Sequence, residues 1–87
     1  MNFSAKYVHP LTANANLTPG KGQLKEGSNG IKALHCIFKP EGDVTFRTVG
    51  GSIQIFPSSA FVVGAIYPYE IVQINESGAK AFLGLSD

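Results

Sequence analysis

The chain has 87 residues and a formal net charge of +1; 44% of its residues are hydrophobic and only 15% are charged. This length suits one small domain, and the near-neutral charge excludes the basic surface with which proteins bind nucleic acids or anionic lipids. The longest apolar run, residues 60–67, is far shorter than the ~18 residues that span a bilayer, and residues 1–10 lack the pattern of a secretory signal. We therefore expect no nucleic-acid partner and no membrane partner.

The low charge of the chain is its first informative feature. Soluble domains average about 25% charged residues, and a chain of this size hides only about 60 to 65% of its surface on folding. We expect apolar surface that is covered by other copies of the chain or by a larger assembly. The single cysteine, Cys36, cannot form an internal disulfide, which favours a reducing compartment.

The first thirty residues differ in composition from the rest. Residues 14–30 are rich in Gly and Asn and contain few apolar residues, so they cannot build a core of their own. Upstream, Phe3, Tyr7 and Leu11 are spaced as anchors that would bind a partner. We expect residues 1–30 to form an extended N-terminal arm with one short strand and a long loop.

The remaining residues, 31–87, are expected to form an all-β body. Strand-forming residues are concentrated between positions 31 and 74, and turn residues recur at intervals typical of a small antiparallel sandwich or barrel. Residues 31–39 match both a helical and an alternating pattern. A strand is favoured because the run is short for a helix and ends at Pro40.

Further strands are predicted from alternation between turns. Gly50-Gly51 and residues 76–78 are read as tight turns. The strands predicted beside these turns cover residues 44–49, 52–56, 69–75 and 79–85. The expected core consists of six apolar side chains: Phe46, Ile53, Ile55, Val72, Ile74 and Phe82.

No catalytic, metal-binding or cofactor-binding residues are predicted, and we expect the chain not to be an enzyme. Residues 18–22 are the nearest match to a phosphate-binding loop, but they follow no predicted strand and open no helix, so a mobile turn is favoured. His35 and Cys36 are neighbours on a strand and therefore point to opposite faces. We expect Cys36 to be a small buried hydrophobe and His35 an edge or interface residue. A hydrolase or redox protein built on this pair is the alternative.

Three further side chains are candidate interface residues. Arg47 faces the same way as Thr45 on its predicted strand, where it would pair with an acidic residue of another subunit or remain a solvated surface charge. Tyr67 and Tyr69 flank Pro68 and would either stack on a sugar ring or a partner, or pack beneath the adjacent loop. Packing beneath the loop is favoured.

The C-terminal half carries a pattern that resembles a known family. Residues 67–74 (YPYEIVQI) form a proline-led alternating strand, and residues 77–85 (SGAKAFLGL) form a Ser-Gly turn followed by a small-residue strand that ends on Leu85. Together with the Gly50-Gly51 turn and its following strand, this pattern resembles that of small tailed-phage virion structural proteins, over roughly residues 44–85. The resemblance implies a noncatalytic β module of the virion.

Composition and resemblance together predict a capsid decoration or cement protein. We expect it to bind the shell as an oligomer, a trimer in the first instance, and to contact the major capsid protein or another virion protein through its arm. Deleting residues 1–12 is expected to leave the body folded and to weaken this attachment. A tail or neck adaptor protein and a small carbohydrate-binding module that uses Tyr67 and Tyr69 are the alternatives.

Overall fold

A computed structural model describes residues 5–24 and 29–87. Phe3, one of the expected anchors of the arm, lies outside the described residues. Between residues 58 and 60 the chain makes one 3₁₀ turn. The strands and the helix of the described chain are β1 (Tyr7–Pro10), β2 (Ala33–Cys36), β3 (Val44–Thr48), β4 (Ile53–Phe56), β5 (Ile66–Tyr67), β6 (Ile71–Ile74), α1 (Glu76–Ala81) and β7 (Phe82–Ser86).

The strands form two antiparallel sheets, which confirms the all-β prediction. One sheet has four strands in the order β1-β7-β2-β5, and the other has three in the order β4-β3-β6. Each central strand pairs with both of its neighbours: β7 lies between β1 and β2, β2 lies between β7 and β5, and β3 lies between β4 and β6. The predicted hairpin around Gly50-Gly51 is the β3–β4 pair, and its glycine turn includes Gly51 at a φ of 90°.

Both sheets contribute their inner faces to one hydrophobic core. From the four-stranded sheet it receives Leu34, Cys36 and Phe82, and from the three-stranded sheet Val44 and Phe46, among others. Of the expected core residues, Phe46, Ile74 and Phe82 are buried. Aromatic side chains fill the space between the sheets at one end, where rings stack or meet edge to face at centroid distances of 4.9 to 6.3 Å.

Ile53 and Ile55 were expected in the core, and this expectation is wrong. They do face the same way along β4, but their side chains are 56% and 65% exposed. Both pair with the outward-facing residues of β3, since Ile53 lies opposite Arg47 and Ile55 opposite Thr45. Val72, also expected in the core, is half-buried.

The segment predicted as a tight turn and the start of the last strand is in fact a short helix. α1 occupies Glu76–Ala81, and β7 begins only at Phe82. The Asn75 side chain caps the helix by accepting a hydrogen bond from the Gly78 N–H at 3.2 Å. Gly78 is required where α1 crosses the three-stranded sheet, because a Cβ there would overlap the side chains of Ile74 and Val44.

Residues 5–24, which fall in the expected arm, contribute a strand and two buried leucines to the fold. β1 pairs with β7 through four residue pairs. The following loop runs along the free edge of β6, where the N–H groups of Asn14 and Leu17 donate to the carbonyls of Ile74 and Val72 at 2.7 and 2.9 Å. The side chains of Leu17 and Leu24 are buried in the core.

Candidate interaction surface

The side of the four-stranded sheet that faces away from the core is almost entirely apolar. Residues that pair across neighbouring strands share a face of the sheet, so the pairing register defines two rows that cross it. One row contains Val8, Leu85 and Ala33, and the other contains Pro10, Leu83, His35 and Ile66. We call these seven residues the outer face.

This composition is unusual for an antiparallel sheet. Such sheets commonly pack one face on the core and expose a polar second face, whereas the outer face has no charged residue among its seven. Val8 and Ile66 are 56% and 40% exposed, Leu83 and His35 are half-buried, and Leu85 and Ala33 between the edges are already buried. The outer face is therefore the part of the four-stranded sheet best suited to contact another protein.

His35 lies in the middle of the outer face, and Cys36 lies on the opposite side of the same strand. His35 is paired with Leu83 on one side and Ile66 on the other, so it belongs to a central strand and not to an edge. The Cys36 thiol is fully buried and donates to the Phe38 carbonyl at 3.2 Å. Burial raises the pKa of this thiol, which disfavours the reactive thiolate. The two side chains do not converge on one ligand.

A second histidine forms a serine–histidine pair that sequence reasoning missed. The His9 Nε2 and the Ser86 Oγ are 2.8 Å apart, which is the distance expected between a nucleophile and its base. Ser86 is completely buried, however, so a substrate has no access to its hydroxyl. The bond joins β1 to β7 and satisfies a buried polar group, which is a structural role.

The candidate interface tyrosines lie in the aromatic cluster between the sheets. Their two rings stack on each other with centroids 6.1 Å apart, and Tyr69 also stacks on Phe46 at 5.3 Å. The Tyr67 hydroxyl accepts a hydrogen bond from the Val62 N–H at 2.8 Å, in the loop that precedes β5. These contacts match the favoured prediction of packing beneath the adjacent loop, and they occupy the ring faces that a sugar would need.

The other candidate interface residues are more dispersed. Arg47 is exposed on the outward side of the three-stranded sheet, next to Ile53 and Gln73. Tyr7 is 45% exposed at the start of β1. Leu11 is half-buried and packs against the core; a Cβ on Gly84 would come within 2.9 Å of it. Of the two described anchors, Tyr7 is thus the one whose side chain is available to a partner.

The described residues also bear on metal and small-molecule binding. Residues 5–24 and 29–87 contain no group of three or more His, Cys, Asp or Glu side chains placed to hold a metal ion. A cleft of about 700 Å³ lies beside β6, with Glu70, Lys32 and Asp87 among its polar lining. Lys32 and Asp87 form an ion pair with each other.

Within residues 5–24 and 29–87, no helix is long and apolar enough to cross a membrane.

Comparison with known proteins does not identify a family or a function for the chain. No protein-family model, curated protein or solved structure matches the chain. The likeness of residues 44–85 to virion structural proteins therefore stays a prediction.

Proposed function

We propose that the chain is a noncatalytic structural protein of a phage virion, most plainly a capsid decoration or cement protein that binds the shell as an oligomer and stabilises it. The resemblance of residues 44–85 to small virion proteins supports this proposal. The burial of the Cys36 thiol and of the Ser86 hydroxyl supports it as well, since neither of these two candidate nucleophiles is accessible to a substrate.

The apolar outer face is the observation that carries the proposal. A decoration protein works by burying its own surface against the shell, and burying an exposed Val or Ile side chain completely contributes about 1.5 to 3 kcal/mol. Val8 and Ile66, at the two edges of the four-stranded sheet, are 56% and 40% exposed, so each can supply roughly half of this. A modest affinity per copy becomes strong attachment when an oligomer engages many identical sites on a shell.

β1 gives the expected anchor region a definite place in this contact. Tyr7 lies one residue before Val8 on the same edge strand, so its side chain points to the opposite side of the sheet, and a partner meets its exposed part by wrapping around the β1 edge. In this proposal the expected arm acts through its strand, and the shell protein contacts β1 together with the outer face.

The proposal is tested on virions of the phage that encodes the chain. We expect purified particles to contain the protein in a fixed ratio to the major capsid protein, measured by quantitative mass spectrometry, and electron cryomicroscopy to place it on the shell. Absence of the protein from purified particles would contradict the proposal.

A variant pair then tests the outer face itself on particles that lack the native protein. Ile66→Lys places a charge in the proposed contact, and we expect its occupancy on particles to fall at least about tenfold, the effect of ~1.4 kcal/mol per site. Val62→Lys is the control, because Val62 is exposed but lies in the loop before β5, outside the outer face. Equal occupancy of the two variants would show that the shell binds elsewhere.

A further inference from the structure

The two sheets have four edges, and three of them carry features that prevent pairing with another strand. β1 ends in Pro10, which has no N–H to donate. β5 is only two residues long and is followed by Pro68. β6 is covered by the backbone of residues 14–17. The fourth edge is β4, Ile53–Phe56, which contains neither a proline nor a charged residue.

The hydrogen-bonding pattern of the hairpin shows which groups of β4 face this edge. The Thr48 N–H donates to the Ser52 carbonyl at 2.9 Å, so these two residues form a hydrogen-bonded pair. Such pairs alternate along an antiparallel ladder. The backbone N–H and C=O groups of Gln54 and Phe56 therefore point toward β3, while those of Ile53 and Ile55 point away from it. β3 shows the same alternation. Thr45 lies opposite Ile55, and its carbonyl points away from β4 and accepts from the N–H of Asn75, the residue after β6.

Ile53 and Ile55 therefore expose both their backbone and their side chains. Within the described residues, no hydrogen bond joins their N–H and C=O groups to another part of the chain. Their side chains stand together on the outward side of the three-stranded sheet, 56% and 65% exposed. Natural proteins usually protect an edge of this kind with a charge, a proline or a bulge, and β4 has none of these between its ends.

We propose that β4 pairs antiparallel with β4 of a second copy of this chain, about a two-fold axis that passes beside Gln54. In this register Ile53 lies opposite Ile55 of the other copy. Each of these two pairs exchanges both N–H···O=C bonds, so every open backbone group of the edge is satisfied. The four isoleucine side chains then form one apolar row on the outward side of a six-stranded sheet. The proposal deepens the proposed function. It rests on that function for one premise, which is that the chain acts as an oligomer.

The ends of β4 select this register over its neighbours. Sliding the strands two residues one way places Pro57 opposite Ile53 of the other copy, and Pro57 has no N–H to donate. Sliding them two residues the other way places Gly51 opposite Ile55, but Gly51 has a φ of 90° and cannot continue a ladder. The register centred on Gln54 is thus the one in which both isoleucines of each copy pair in full.

Charge and size indicate how firmly the pair holds. Two copies with a net charge of +1 each repel only weakly, and no charged side chain lies on the paired strands. A contact of two four-residue strands is smaller than the ~1,600 Å² of a standard stable interface. The isolated chain is therefore expected to form a dimer that dissociates on dilution.

The test is sedimentation equilibrium of the full chain over a wide concentration range, together with amide hydrogen exchange. We expect a monomer–dimer equilibrium that is lost in Ile53→Lys and retained in Val63→Lys. Val63 is a matched control because it is equally exposed, at 56%, and lies in the loop before β5, outside both β4 and the outer face. In the wild-type chain, exchange at the amides of Ile53 and Ile55 should slow as concentration rises, while the amide of Gln54, which faces β3, should be protected throughout.

Three association results would overturn this pairing, and so would one exchange result. They are a wild-type chain that stays monomeric at the highest concentration, a monomer–trimer equilibrium, and an association that Ile53→Lys leaves intact. Amides of Ile53 and Ile55 that exchange at the same rate in monomer and dimer would also overturn it. These measurements use the isolated chain, so their failure would leave the virion test of the proposed function standing, and failure of that test would leave the dimer standing.

Discussion

Cys36 is the residue whose chemistry is most directly set by its surroundings. The expectation that Cys36 is a small buried hydrophobe is confirmed; it came from the residue type, since a free cysteine is among the most buried side chains in folded proteins. His35 was harder to place from sequence. Its position in the centre of an apolar outer face depends on Leu83 and Ile66, which are far away in the chain and adjacent only through strand pairing.

Burial of Cys36 gives a prediction for the pH dependence of stability. It raises the pKa of the thiol above its ordinary value of 9.0, so the unfolded chain releases this proton at a lower pH than the folded chain. The thiol's contribution to the free energy of unfolding is therefore complete below pH ~9 and declines as pH rises above it. Cys36→Ala is less stable at neutral pH because it leaves a small cavity, but it lacks this decline.

The measurement is urea unfolding of both proteins, with reductant, at about pH 7.5 and pH 10. We expect the stability difference between the wild-type chain and Cys36→Ala to shrink at the higher pH, since the thiol is the one ionisable group in which the two proteins differ. A difference that is the same at the two pH values would mean that the thiol ionises equally in the folded and unfolded chains.

At the level of single elements, alternation predicted strands well and their orientation less well. Ile53 and Ile55 were correctly placed on one side of β4, but alternation alone does not say which side faces the core. The inward positions of β4 are taken by Gln54 and Phe56, which lie opposite Phe46 and Val44. The choice depends on the register with β3, which a single strand does not reveal.

Helix α1 was missed for a different reason. It has only six residues and contains Gly78, which is a poor helix former. The available signal was Asn75, a favoured N-cap residue, followed directly by an acidic residue in the first turn. The structure adds a second role that no local pattern shows: the Asn75 side chain also accepts from the Thr45 N–H at 3.1 Å and donates to the Asp43 carbonyl at 2.8 Å.

Asn75 should therefore contribute more to stability than an ordinary helix cap. Loss of a cap costs about 0.5 to 2 kcal/mol and each further hydrogen bond about 0.5 to 1.5 kcal/mol, so we expect Asn75→Ala to lower the free energy of unfolding by about 2 to 4 kcal/mol. Asn75→Asp keeps both bonds in which the side-chain oxygen accepts and loses the bond to Asp43, so its loss should be smaller. Urea unfolding measures both variants. Equal losses would show that the oxygen's two bonds contribute nothing.

On the scale of the whole molecule, composition predicted more than sequence order did. Low charge in a small chain indicated exposed apolar surface, and the outer face and β4 provide it. The role of residues 5–24 was not foreseen, because residues 14–24 contain only three apolar residues and the segment is held largely by backbone bonds to β6 and β7. Two buried leucines in a polar stretch do not distinguish a packed loop from a free arm until the cavity that receives them is known.

The integration of β1 reverses the expectation that the body folds without residues 1–12. Their deletion removes the strand that covers the edge of β7, the side chain of Leu11 that packs over Gly84, and the His9 partner of the buried Ser86 hydroxyl. An unpartnered buried polar group alone costs about 1 to 3 kcal/mol. We therefore expect the deletion to lower the midpoint of thermal unfolding strongly or to abolish the cooperative transition.

A double variant separates this structural role from contact with a partner. Tyr7→Thr with Val8→Thr keeps strand-forming residues in β1 and removes the two large apolar side chains that this strand exposes. We expect it to unfold within a few degrees of the wild-type chain, measured by circular dichroism, and to bind virions less well. Wild-type stability in the deletion chain would show instead that β1 is dispensable for folding, and the expected arm would then be a separate unit whose sole contribution is attachment.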